Sequence, residues 1–266
     1  MTDRYFFATA TACIALSLVV TVSQQRRHFA QAHKVRYGLM LAGFVFMSVF
    51  LFVRASEIRR CPLTNLFEAM AFISWTVSLI YLLIGGAYRN TLLGVFTAPV
   101  LLMLNLFALI APFDVPPKGP APGFWIDLHA PLAVMSYGAF AVAAIEAAMF
   151  LLQENQIKRH QSGPWMQLLP SVSEIGVMTF RLLFLGTSLL AVGVTTGFVA
   201  GWDRGWAVFD FKTGWSLCVL MAYALLTTLI FRRKLRPRWG AWAVIGLFLF
   251  VILTFWGVYQ LSQLHQ

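Results

Sequence analysis

Polar and apolar positions along this chain fall into long blocks, with no short alternation. Residues 4–22, 37–53, 66–85, 91–111, 128–152, 176–200, 214–231 and 240–261 are each overwhelmingly apolar. A helix needs roughly 20 such residues to cross a hydrocarbon layer about 30 Å thick, and the two shortest blocks, at about 18, still suffice. Strands of a membrane barrel would alternate apolar and polar positions, which these blocks do not. The pattern therefore predicts an all-α, polytopic membrane helix bundle of about eight transmembrane helices. Residues 1–266 form a single integral membrane domain joined by short loops.

Composition agrees. Of the 266 residues, 59% are hydrophobic and 11% are charged, where a soluble fold carries about a quarter charged. The first block is not read as a signal peptide, because only Arg4 precedes it among basic residues and the basic cluster follows it. It is expected to be a retained helix.

The basic residues set an orientation. One group of loops holds Arg26, Arg27, Lys34 and Arg36, then Arg89, then Lys158 and Arg159, and finally Arg232, Arg233, Lys234, Arg236 and Arg238. The opposite group holds Arg4, then Arg54, Arg59 and Arg60, then Lys118, then Arg204 and Lys212. The richer group is expected on the cytoplasmic side, which puts both termini on the outer, periplasmic side of a bacterial inner membrane. The net charge of +10 then reads as a topology determinant and an attraction to the lipid bilayer's anionic headgroups. No nucleic acid is expected as a partner.

The candidate chemistry is sparse. Cys13 and Cys218 lie inside apolar blocks, Cys61 lies at a boundary, and no pair has metal or redox spacing. The loop from Ala111 to Asp127 is rich in proline and ends in Phe124 and Trp125, side chains suited to the membrane interface. Ionisable groups inside apolar blocks are costly and therefore informative. Glu68 opens the third block, Arg181 lies in the sixth, and Glu146 lies deep in the fifth, in AVAAIEAAMF. Small neighbours there permit close helix packing around a protonated carboxyl. Interhelical hydrogen bonding or snorkelling is the ordinary reading of each.

His28, His33 and His160 fall on the basic side, while His129 and His265 fall on the other. Two neutral imidazoles on one membrane face are a possible axial pair for haem iron. Interfacial histidines satisfied by water or backbone are the plainer alternative. Between them lies an aromatic loop with Trp202, Trp206, Phe209, Phe211 and Trp215, together with Asp210, Arg204 and Lys212. Such a surface can stack on a flat macrocycle while a base pairs with its carboxylates, or it can form an interfacial aromatic belt.

Four segments resemble the cytochrome c assembly family (CcsA/CcmC-related), in particular its HemX/YpjD-like inner-membrane branch. The first is Cys61-Pro62-Leu63-Thr64-Asn65-Leu66-Phe67-Glu68, continuing to Trp75. The second runs from Leu128-His129-Ala130 through Ser136-Tyr137-Gly138-Ala139-Phe140 to Gln153-Glu154. The third is Asp210-Phe211-Lys212-Thr213-Gly214-Trp215, and the fourth is Trp256-Gly257-Val258 followed by Leu264-His265. They occur in family order. Phe209 departs from the family pattern where a tryptophan precedes the aspartate, as do Thr213-Gly214 where the family has Glu-Thr.

The resemblance implies a haem-handling membrane protein of cytochrome c assembly. Haem b would lie at the outer face, ligated by His129 and His265 beside Trp202, Trp206, Asp210 and Trp215. Another assembly subunit would be its partner. The alternative it implies is a non-catalytic HemX-like regulator that docks a haem-biosynthesis enzyme on the basic loops. No nucleophile and base stand together, so an accessory role is expected rather than an enzyme. A transporter built around Glu68 and Glu146 is a third reading, which would need broken helices, hinted at by Gly85-Gly86 and Pro99.

Overall fold

The computed structural model describes residues 2–23, 29–88, 93–110, 123–159, 171–203 and 211–264, and all regular structure in them is α-helix. In chain order the helices are α1 (Thr2–Ser23), α2 (Phe29–Ile58), α3 (Leu66–Tyr88), α4 (Leu93–Ile110), α5 (Phe124–Lys158), α6 (Val172–Asp203), α7 (Phe211–Phe231) and α8 (Pro237–Leu264). Each is long and apolar enough to cross a membrane, so the protein is a multi-pass membrane protein. In lipid no water is available to satisfy exposed backbone groups, and a helix satisfies them within itself.

The apolar blocks underestimate the helices. α5 holds 35 residues, about 52 Å at 1.5 Å per residue. Such a helix passes through the hydrocarbon and the headgroup layers, about 40–45 Å together, with a turn or more to spare. Phe124–Asp127, expected in the preceding loop, are instead the first turn of α5. The amides of Ile126 and Asp127 donate to the Gly123 carbonyl at 3.2 and 3.1 Å, and Gly123 sits at φ 74°, where glycine is favoured. The transporter reading also meets a correction. α3 continues through Gly85-Gly86 to Tyr88, and α4 continues through Pro99, so neither helix breaks where a discontinuity was expected.

Local chemistry sets several helix ends. Ser171 and Glu174 form a reciprocal capping box at the start of α6, each backbone amide donating to the other's side chain. α7 closes in a Schellman motif. The Arg233 amide bonds the Ile230 carbonyl and the Lys234 amide bonds that of Leu229, both at 3.0 Å. The left-handed position is taken by Arg233 at φ 52°, where glycine is the usual choice.

α5 is the hub, packing against α3, α4, α6 and α8, while α1 and α2 pair at one flank against α3 and α4. Within their spans 72% of α5 and 67% of α3 is buried, against 22% for α7 and α8, whose outer faces are left for lipid. Glycines allow the close contacts. A Cβ on Gly138 would lie 2.5 Å from Thr76 of α3, and one on Gly186 would lie 2.5 Å from the Phe140 ring. That ring stacks on Tyr223 of α7 with centroids 3.5 Å apart and planes 2° from parallel, so α5, α6 and α7 meet through one aromatic layer.

Gly186→Val is therefore expected to overpack this layer and cost about 1–3 kcal/mol. Thermal unfolding in detergent should show a lower midpoint for Gly186→Val, and no change for valine at Gly246, where a Cβ meets nothing within 4 Å.

Candidate functional site

The starts of α3, α5 and α7 and the ends of α2, α6 and α8 lie at one end of the bundle. Of the site residues read from the sequence, His129, Trp202 and Trp215 belong to this end. It is built from the Pro62–Glu68 turn, the first turns of α5 and the last turns of α6.

Glu68 is fully buried, and its charge is met on every side. Arg54 Nε of α2 lies 2.7 Å from Oε1, while the Thr64 amide and hydroxyl both donate to Oε2 at 2.7 Å. The Glu68 amide in turn donates to Asn65 Oδ1 at 2.9 Å. The pair Asn65 and Glu68 thus caps α3 in the manner of a capping box, with an ion pair added between α2 and α3. Arg4 of α1 lies over the Phe67 ring at 5.3 Å. The last residue of this motif is equally structural. Trp75 donates its indole N–H to Ser48 Oγ at 2.8 Å and stacks on Phe44. The interhelical hydrogen-bonding reading holds for Glu68. Its partner Arg54 had been counted only among the topology charges.

Cys61 lies in the turn ahead of α3. Its amide neighbourhood is tight, with the Leu63 N–H on the Cys61 carbonyl at 2.8 Å. Burial, with the carboxylates of Asp127 and Glu68 adding to it, pushes the thiol up to about 11. That effect marks the nearness of the α3 turn to the first turn of α5, two residues before His129.

His129 leans on α6. Its Nδ1 lies 2.6 Å from the Gly193 carbonyl oxygen. A carbonyl can only accept, so Nδ1 carries the hydrogen and Nε2 of the neutral ring keeps its lone pair. The ring rests on Gly197, where a Cβ would stand 2.8 Å from Nδ1 and 3.0 Å from Cε1. Gly193 brings the backbones together in the same way, since its Cβ would lie 3.2 Å from the Ala133 nitrogen. This small-xxx-small step, Gly193 to Gly197, is a membrane helix-packing signal. It was the visible clue to the imidazole's seat, and the sequence reading passed over it.

The tryptophans divide. Trp202 sits in the last turn of α6 and is 78% exposed, while Trp215 in the first turn of α7 is half-buried against Phe250 of α8, centroids 5.8 Å apart. Trp206, Asp210, Arg204 and His265 lie outside the described residues. The structure thus seats His129 and brings Trp202 and Trp215 to the same end of the bundle. Elsewhere, Arg181 is exposed on α6 and Cys218, inside an apolar block, is exposed on α7. Among the described residues, no group of three or more His, Cys, Asp or Glu side chains is placed to hold a metal ion.

The chain matches the family model described as cytochrome C assembly protein over residues 63–265. It is 30% identical to protein NrfI of Wolinella succinogenes over 236 residues, covering 85% of this chain and 24% of that protein. It is 26% identical to the cytochrome c biogenesis protein CcsA of Chlamydomonas reinhardtii over 196 residues, covering 71% of this chain and 53% of that one. Against protein HemX of Bacillus subtilis the identity is 22% over 258 residues, covering 94% and 93%. The matched part thus spans about a quarter of NrfI and about half of that CcsA.

The geometry yields two expectations. Arg54→Ala leaves the fully buried Glu68 carboxylate without its guanidinium and should cost roughly 3–5 kcal/mol, while Arg54→Met/Glu68→Met should recover part of that loss. A double-mutant cycle of thermal unfolding in detergent measures both. The raised Cys61 thiol is neutral at physiological pH, and only the thiolate reacts. Iodoacetamide labelling of Cys61 should therefore be slow at neutral pH and climb until the medium approaches about pH 11. A plateau near pH 8 would contradict the burial and carboxylate effects.

Proposed function

This chain belongs to the cytochrome c assembly protein family, and we propose that it handles haem for cytochrome c maturation at the end of the bundle where α5 begins. The observation that carries this reading is the imidazole of His129. Its Nδ1–H is committed to the Gly193 carbonyl, so Nε2 is the free donor nitrogen. Metal-bound histidines characteristically donate their other ring N–H in this way, which fixes both tautomer and orientation.

The residues present suit the group. Haem supplies an iron that neutral imidazoles can ligate, and His129 and His265 would hold it. Trp202, Trp206 and Trp215 would lie against the macrocycle, with Asp210 in the connecting segment. Haem b, held without a covalent link, is the form proposed. This chain's own contribution is to hold one imidazole by a hydrogen bond, to seat it against a glycine, and to frame it with aromatic side chains at the membrane boundary.

The proposed setting is the bacterial inner membrane, with this end and both termini on the periplasmic side. The working partner would be an assembly subunit or the apocytochrome that receives haem. The comparisons do not favour the alternative of a non-catalytic regulator of haem biosynthesis.

Absorbance spectra of the detergent-purified protein, oxidised and reduced, test the reading. Wild type is expected to show a Soret band and sharp reduced α and β bands, and His129→Ala and His265→Ala should each abolish them. Gly197→Ala keeps the ligand but displaces its seat, and should cost roughly 10–100-fold in haem affinity. A wild-type protein with no Soret band, even after added haemin, would end the proposal.

A further inference from the structure

We propose that Glu146 is a proton-binding site inside the membrane, reached from the end of the bundle that carries Lys158 and Arg238. It is 1% exposed, and neither carboxyl oxygen has a hydrogen-bond partner among the described residues. Ser74, Ser78, Asn105 and Tyr223 in the spans are also buried without a partner among the described residues, but they are uncharged, and several threonines are satisfied locally. The hydroxyls of Thr11, Thr21, Thr76, Thr97 and Thr179 each donate to the carbonyl four residues earlier. Glu68, the other carboxylate in an apolar block, has Arg54 and Thr64. A bare carboxylate without either provision carries a desolvation cost of several kcal/mol, and taking up a proton removes it.

Among the described residues, no charge on a neighbouring helix supplies the missing partner. α3 contributes Glu68, already paired, and the phenol of Tyr81. α4 contains no charged residue. α6 contributes Glu174 and Arg181, both exposed. α8 contributes Arg238, whose Nε lies 3.9 Å from Glu154. On α5 itself Asp127 and His129 lie more than four turns away, and Glu154 pairs with Lys158 at 2.6 Å.

The route follows from helical spacing. Gln153 and Gln156 follow Glu146 by seven and ten residues, which places all three within about 80° of arc and about 15 Å of rise. Gln153 is buried, and Gln156 has a buried Oε1 with no partner among the described residues. Beside and beyond them lies the charged rim of Glu154, Lys158 and Arg238. In the other direction the same flank carries Ala143, Val142, Ala139 and Met135, all apolar. Ser136, at its edge, already donates to the Ala133 carbonyl at 2.6 Å. Along α5, amide side chains lie on one side of the carboxyl and apolar side chains on the other, and the proposed proton exchange is from the amide side.

The test uses the full chain in proteoliposomes of phosphatidylethanolamine and phosphatidylglycerol. Dicyclohexylcarbodiimide, an apolar reagent that adds to protonated carboxyls, should label Glu146 and leave Glu68 unlabelled in the same digest. Infrared spectra should show a carboxylic-acid carbonyl band that is absent in Glu146→Gln. In wild type this band should shift on transfer to D2O, and in Gln156→Leu the shift should slow several-fold. Absence of both the label and the band overturns the proton site. Exchange at the wild-type rate in Gln156→Leu overturns the route.

Discussion

The closeness of α5 to α6 is the constraint on which the rest of this bundle depends. Three glycines of α6 face α5: a Cβ at 186 or 197 would collide with a ring that α5 carries, and one at 193 would press tightly on its backbone. In lipid no hydrophobic force drives helices together, so contact rests on van der Waals fit and on hydrogen bonds that fit permits. At Gly186 the fit admits the Phe140 ring, and through it Tyr223 of α7. At Gly193 and Gly197 it admits an imidazole. The same close approach that holds the helices also brings a backbone carbonyl within 2.6 Å of Nδ1. Helix packing and the hydrogen bond that orients His129 are one feature.

Much of this was legible in the sequence, for definite reasons. The eight spans were readable because hydrocarbon admits only long apolar helices, and that requirement is written residue by residue. Their ends were not, because nothing obliges a helix to stop at the hydrocarbon boundary. α2 and α5 run on into the interfacial layer, and Phe124–Asp127 became helix. His129 was legible as a candidate through family resemblance, but its tautomer was not. The tautomer depends on which helix faces α5, and that pairing is encoded in glycine spacing 64 residues away. Arg54 was misweighted for a similar reason. Read as a loop charge it argued about topology, whereas folding brings it to Glu68 across 14 residues of chain.

The two carboxyls inside apolar blocks show two solutions to one problem. Glu68 sits at a helix start, where orphan amides, a threonine hydroxyl and a neighbouring arginine can all be gathered. Both carboxyl oxygens are bonded there, and in return Glu68 joins α2 to α3. Glu146 sits in mid-helix, where the backbone amides are already spent within α5 and offer nothing. Alanines at 143, 144 and 147 let neighbouring helices close over it, which deepens its isolation. An apolar residue would fit that position at less cost, so the carboxyl needs a reason other than packing.

Both groups of chemical interest therefore ride on one rod. His129 and Glu146 are 17 residues apart on α5, about 25 Å along its axis, one near the framed end and one toward the other. α5 is continuous between them despite Pro131, and it is gripped by α3 at Gly138 and by α6 at Gly186, Gly193 and Gly197. Contacts this tight leave little room for independent bending, because packed interfaces shift between discrete arrangements and do not deform smoothly. A change at either end that α5 cannot absorb locally must be taken up at the glycine contacts, and two of these form the seat of the imidazole.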